Sequence, residues 1–235
     1  MPEQNASCLA IVQARLGSSR LPLKSLLCLR DLPVIDWVVQ RLAKASLIDK
    51  IIVAIPETPL DQVLYEHLTR RGVNAIMGEE NDVLARFVRA AKTTDCSLIV
   101  RVCADNPLIS GEAVDRLVAY YRKTPCDYAY NHIPRNNLWP DGLGAEILKR
   151  DLLEELHSKA TESSQREHCL NYIWDHADDF RIATFDPEEP WLRRPDIKLD
   201  IDRPEDFQRL ALLPLSPDMD CQAIIRTVDA ATRHF

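Results

Sequence analysis

With 235 residues and 46% hydrophobic content, the chain can bury one substantial core, and α/β proteins of this length commonly form a single domain. A net charge of -7 and a pI near 5.4 exclude a surface built to wrap nucleic acid or to lie on acidic lipid, since both need a sustained positive field. No run approaches the roughly 18 apolar residues of a membrane span, the N-terminus lacks the pattern of a signal peptide, and seven scattered cysteines without a C-x-x-C pair read as reduced thiols, so the expected compartment is the cytoplasm.

In chain order, CLAIVQ (8–13), KIIVAI (50–55), VNAIM (73–77), SLIVRVC (97–103) and DYAYN (127–131) are short apolar runs that predict strands. Between them, VIDWVVQRLAKA, LDQVLYEHLTRR, DVLARFVRAAKT and SGEAVDRLVAYYRK repeat apolar residues at i, i+3, i+4 and i+7, which predicts helices with one face for a sheet. The fold class is therefore α/β, Rossmann-like, with a mostly parallel sheet and helices on both faces. After Asn131 a loop rich in Pro, Asn and Gly leads to predicted helices at about 151–159 and 164–175, the second opened by a Ser164-x-x-Glu167 capping box. FRIATF (180–185) and IKLDI (197–201) predict two further strands, and IDRPEDFQRL and DCQAIIRTVDAATRH (220–234) the last helices. No internal repeat or long linker divides the chain, so residues 1–235 are expected to form one domain.

In such a sheet ligands bind beyond the carboxyl ends of the strands. The loop after the first strand, ARLGSSRLPLK (14–24), carries Arg15, Arg20 and Lys24 around Gly17, Ser18 and Ser19. A Gly/Ser turn lets backbone N–H groups approach a phosphate while Arg and Lys neutralise it, so a triphosphate is the natural guest, with a solvated basic loop as the alternative. The spacing is neither that of a Walker loop nor that of a dinucleotide fingerprint. Asp105, in ADNPL just past the strand SLIVRVC, suits a magnesium ligand and equally an Asx turn before Pro107. Asp200 and Asp202, in KLDIDRPEDF, alternate on a short predicted strand and so share a face, while Asp202-x-x-Glu205 also reads as a helix start. Asp82 and Arg86 read as an ordinary i,i+4 pair at another helix start. His67, His132, His157, His176 and His234 show no metal-ligand spacing and are assigned no chemistry.

IVQARLGSSRLPLKSL resembles the opening signature of the cytidylyltransferase family that includes spore-coat polysaccharide biosynthesis proteins and the CMP-acylneuraminate and CMP-KDO synthetases. GEENDVLARF, RVCADNPLI, DGLGAEIL, SSQREHCLNYI and LDIDRPEDF follow in the family's order, with the spore-coat type most alike. The resemblance implies a nucleotidyltransferase fold and CMP-sugar formation from CTP and a sugar in surface-polysaccharide synthesis. It also implies bound Mg2+ and a cytoplasmic homodimer that contacts neither nucleic acid nor membrane.

The same resemblance distributes the roles. Arg15, Gly17, Ser18, Ser19, Arg20, Lys24 and Asp82 would bind nucleotide, with Arg15, Lys24 and Asp105 catalytic. Asp105 and Asp202 would hold the metal. Residues of about 131–195 would recognise the sugar and form the dimer contact, with Asn131, Arg135, Glu146, Arg166, Glu167 and His168 as the sugar-side candidates. Three positions depart from the family pattern: Leu23 and Ala104 stand where Gly is usual, and Gly144 where the spore-coat type carries Asp. Leu23 is expected to narrow the space beside the phosphates and Gly144 to alter the sugar pocket. The competing readings are a metal-dependent glycosyltransferase, which Asp200-x-Asp202 suggests, and a catalytically silent nucleotide-binding subunit.

Overall fold

Strands that are apolar on both faces need cover on both sides, and the helices between them supply it. The computed structural model describes residues 6–232. In chain order β1 (Cys8–Gln13) enters a loop and a 3-10 turn at Lys24–Leu26. The small hairpin β2 (Cys28–Leu29) and β3 (Leu32–Pro33) follows, then α1 (Val34–Leu42), β4 (Lys50–Pro56), α2 (Gln62–Arg70), β5 (Ala75–Gly78) and α3 (Val83–Ala91). Next come β6 (Leu98–Cys103), α4 (Gly111–Lys123), β7 (Tyr128–Tyr130), β8 (Glu146–Lys149) and α5 (Arg150–Lys159). The chain continues through α6 (Ser163–Glu167), α7 (Asn171–Asp175), β9 (Ile182–Ala183), α8 (Pro204–Leu212) and α9 (Cys221–Thr232).

One sheet runs β5-β4-β1-β6-β8-β7-β9, and only β8 opposes the rest. Alternation along β1 sends Ala10 and Val12 into the layer of α1, α2 and α4, and Leu9 and Ile11 into the layer of α3, α5 and α7. A third apolar cluster gathers Trp37, Trp139, Leu199, Ile201, Leu210 and Ile224 and fastens the C-terminal segment to the edge of α1. Among the described residues no helix is long and apolar enough to cross a membrane.

Several elements differ from their sequence-based expectation. The predicted helix over 164–175 is two single turns, α6 and α7, broken at His168–Leu170. Ser164 lies inside α6, whose N-cap position is Glu162 without a side-chain cap, so the Ser164/Glu167 capping box does not form. IKLDI is not a strand: residues 197–201 run extended beside Asp141 with one isolated bridge, Asp141 to Lys198. FRIATF contributes two residues to the sheet, in β9. The antiparallel β8 and the β2–β3 hairpin carry no strong apolar run and were not expected. His234 and the last residues of the predicted C-terminal helix lie outside the described residues.

Candidate active site

From β1 the sheet extends one way through β4 and the other way through β6, so a crevice opens beyond the carboxyl ends of β1 and β6. The loop 14–24 fills its rim. The Leu23 N–H donates to the Leu16 carbonyl at 3.0 Å and closes the loop at its base. The buried Asp61 accepts from the Leu16 N–H at 2.7 Å and pins it to the start of α2. Leu23 sits in the left-handed region at φ 59°, ψ 15°, which explains why glycine is usual here in the family pattern. Its side chain is exposed and lies outside the cavity lining, so it does not narrow the space beside Lys24.

Each cation of the loop meets a carboxylate from a different segment. Lys24 Nζ is 3.1 Å from Asp105 Oδ2 and donates to the Ile201 carbonyl at 2.7 Å. Arg20 pairs with Asp202 at 3.0 Å, and Arg15 with Glu167 at 3.4 Å. The Ile201 N–H donates to the Asp105 carbonyl at 2.8 Å, which brings the two candidate metal ligands to one place. Asp202 does not cap α8. Asp206 does that, accepting from the N–H groups of Asp202 and Arg203, so the Asp202 carboxylate is free to face the loop. Lys198 lies among Asp200, Asp202 and Asp206 at 3.3, 3.9 and 2.8 Å. Burial, and then Asp200 beside it, pushes the Asp141 carboxyl up to about 7; burial likewise raises Asp200.

Two cavities flank α6. The smaller, about 190 Å³, is lined by Gln13, Arg15, Ser18, Arg20, Lys24 and Asp105 together with Arg101, Cys103, Glu167 and His168. The larger, about 590 Å³, lies beyond the ends of β4 and β5 between Glu57, residues 78–82 and Arg166. Gly17 and Ser19 are exposed and line neither.

A sequence profile described as Cytidylyltransferase matches residues 9–224. The chain belongs to the cytidylyltransferase family. As a cytidylyltransferase it is a nucleotidyltransferase. It is 38% identical over 200 residues to an uncharacterized protein of Methanocaldococcus jannaschii, covering 85% of this chain and 80% of that one. It is 30% identical over 237 residues to the spore coat polysaccharide biosynthesis protein SpsF of Bacillus subtilis, covering 95% and 96%. The structure of a cytidylyltransferase from Leptospira borgpetersenii serovar Hardjo-bovis superposes with a TM-score of 0.86 at 27% identity over 97% and 96% of the two chains. A CMP-KDO synthetase complexed with CTP shares the fold at 16% identity, with a TM-score of 0.63 over 88% and 97%.

Within this cytidylyltransferase the sugar-side candidates scatter. Glu167 and His168 line the smaller cavity and Arg166 the larger. Arg166 also pairs with Asp82 at 3.4 Å, and Asp82 caps α3 by accepting from the Ala85 N–H at 2.8 Å. The expected Asp82–Arg86 pair is absent among the described ion pairs: Arg86 is buried and donates to the carbonyls of Glu79 and Glu80 instead. Arg135 stacks on Trp174, 3.9 Å from its ring centroid. Asn131 is fully buried, and its amide bridges the Ala113 carbonyl and the Ala145 N–H, so it braces the scaffold rather than facing substrate. Gly144 packs against it. A Cβ at residue 144 would overlap the side-chain and backbone oxygens of Asn131, so this position is closed by packing and does not shape a sugar pocket. Glu146 is buried in a network with Arg101, Tyr128 and His132. Gln13 and Arg101 lie within the motifs IVQARLGSSRLPLKSL and RVCADNPLI, yet the resemblance gives neither a role; the signal available for Arg101 was a charged residue breaking the apolar run SLIVRVC.

Proposed function

We propose that the protein joins CMP from CTP to a sugar and releases pyrophosphate in surface-polysaccharide synthesis. The observation that carries this reading is the meeting of three loop cations with Asp105, Asp202 and Glu167 at the mouth beyond β1 and β6. The SpsF relative supports the sugar nucleotide, and the CTP complex of a fold neighbour supports the base. The triphosphate lies along Arg15, Ser18, Arg20 and Lys24. The nucleoside extends past α6 toward Asp82, and the sugar lies on the β8 side. The sugar hydroxyl attacks the α-phosphorus in line as the bond to pyrophosphate breaks. Such transfer depends on positioning and charge neutralisation, which Lys24, Arg15 and Arg20 provide for the departing pyrophosphate. The reading includes a cytoplasmic homodimer with its contact within 131–195.

The donor set fits a hard divalent cation. Burial raises Asp141 and Asp200, Asp200 raises Asp141 further, and Asp202 and Asp105 raise Asp200 despite Lys198 beside it, so carboxylates crowd this place. Among the described residues no three such side chains form a ready-made cage. That suits magnesium, which takes one or two carboxylates and leaves the remaining positions to phosphate and water. Asp105 and Asp202 would hold it. When bound, magnesium supplies charge neutralisation and a template for phosphate and attacking oxygen.

The test is pyrophosphate release with each of the four nucleoside triphosphates against a panel of acidic and neutral sugars. CTP with one sugar class is expected to turn over, and Lys24→Ala to weaken CTP binding by about 2–4 kcal/mol while leaving free cytidine binding unchanged. Equal small losses for CTP and cytidine, or equal turnover of all four triphosphates, would defeat the assignment.

A further inference from the structure

Gln13 ends β1 and lines the smaller cavity together with Lys24, Arg101 and Asp105. Its backbone carbonyl accepts from the Ala104 N–H at 2.9 Å, one residue before Asp105, so it stands beside a candidate metal ligand. Its side chain is held in one direction. Arg101 Nη2 donates to Gln13 Oε1 at 3.2 Å, and because a guanidinium has donors only, the amide oxygen faces Arg101 and the amide nitrogen turns away from it. Gln13 Nε2 bonds to no other group among the described residues and is not sealed in the core, so it offers unspent N–H donors in the cavity wall.

Arg101 is itself held from behind. Across the β6–β8 pairing it stands opposite Glu146, to which its Nη1 donates, and Tyr128 Oη donates to the other carboxylate oxygen at 2.6 Å. Glu146 and Tyr128 are buried and line neither cavity, so they meet no ligand themselves. An ion pair taken out of water is commonly no more stabilising than two apolar side chains of the same volume, so the fold alone does not call for this one. What the pair does is fix Arg101, and Arg101 in turn fixes Gln13. A group in a site keeps its productive angle only when its own neighbours lock it.

We propose that Gln13 Nε2 donates to a non-bridging oxygen of the α-phosphate of CTP, with Arg101 as the positioning residue that orients it. The proposal rests on the CMP-transfer reading above and goes beyond it by assigning a catalytic group that carries no charge. In that reading the nucleoside leads toward Asp82, the pyrophosphate toward Arg20 and Lys24, and the sugar toward β8. β1 lies between β4 and β6, so Gln13 stands at the place where the three meet. As the sugar oxygen bonds to phosphorus, the bond to pyrophosphate breaks and the hydroxyl proton is released to solvent; Gln13 keeps its protons. A donor already aimed at the phosphoryl oxygen needs no reorganisation as charge shifts there.

The test uses the full chain with magnesium, CTP, and whichever sugar of the panel gives the fastest pyrophosphate release. Gln13→Leu removes the donor and is expected to lower kcat at least tenfold, with the sugar KM and the CTP affinity by calorimetry within about threefold of wild type. CTP with sulfur in place of one or the other non-bridging α-oxygen locates the contact, because sulfur accepts hydrogen bonds weakly. For one of the two diastereomers the rate loss on sulfur substitution is expected to shrink severalfold in Gln13→Leu, since the bond that sulfur weakens is already gone. Arg101→Met/Glu146→Leu keeps the volume of the buried pair and frees the amide to turn. It is expected to lower kcat severalfold and to add nothing when combined with Gln13→Leu, because residues acting through one group are non-additive. A full multiplicative loss in the combined variant would show that Arg101 does not act through Gln13; where the pair variant does not fold, Gln13→Leu and the sulfur series decide. A kcat within twofold of wild type in folded Gln13→Leu, a loss carried by the sugar KM, or sulfur losses unchanged for both diastereomers would overturn the proposal. If wild type releases no pyrophosphate with any sugar, the CMP-transfer reading itself fails and takes this inference with it.

Discussion

Leu23 is the residue at which local backbone cost is most exposed. A branched side chain held at φ 59° and ψ 15° carries strain that glycine would not, and Leu23 is 45% exposed with little packing to lose. Leu23→Gly is therefore expected to stabilise the protein by about 1 kcal/mol after its own chain entropy is counted, and Leu23→Val to destabilise it, read from urea midpoints. The same loop illustrates how far single residues were legible. Arg15, Arg20 and Lys24 announce themselves because cations clustered after a strand in an acidic chain have few structural uses. Arg101 does not, because one charge inside an apolar run reads as noise until β8 brings Glu146 opposite it. Gly144 misled in the other direction: its departure from the family pattern suggested a sugar contact, whereas Asn131 fills the space beside it.

At the scale of elements, the phosphate loop is latched to three separate segments through Arg15–Glu167, Arg20–Asp202 and Lys24–Asp105. A triphosphate arriving without a cation must break these pairs and strand the carboxylates beside its own charge. Asp105→Asn and Asp202→Asn are thus each expected to tighten metal-free CTP binding by about 1 kcal/mol, near the upper end for partly exposed pairs. The same variants are expected to weaken CTP binding when magnesium is present. Calorimetry with and without the metal reads both, and a loss of affinity in both conditions would remove the latch. The long periodic helices α1 to α4 and the strands between them were legible because burial on a sheet imposes its period on the sequence. Within 131–201 the helix α5 was legible in the same way, while the short pieces around it were not, since they are held by caps and by backbone bonds to distant residues. Asp206 rather than Asp202 caps α8, and 197–201 stay extended through two backbone bonds to Asp141 and one to Asp105.

For the whole molecule, Asp141 ties stability to pH. Its carboxyl lies near 7 in the fold and near about 3.9 in an unfolded chain. Between those values the folded state binds a proton that the unfolded state has released, so this group makes the protein less stable as pH rises from about 4 through 7. In metal-free buffer Asp141→Asn is expected to match wild type in melting temperature near pH 4 and to exceed it increasingly up to pH 8. A constant difference across that range would mean that Asp141 does not carry the effect. The sheet also fixes an order of assembly. β8 lies between β6 and β7 yet is made after both, and Glu146 follows Arg101 by 45 positions. At ribosomal rates of about 5–20 residues per second, the nascent chain holds an open β6 edge for roughly 2 to 9 seconds, with β7 unable to dock. A charge in the middle of an open edge discourages pairing with another chain. The β6 edge therefore carries an unpaired charge at Arg101 until Glu146, its partner across β8, has been made.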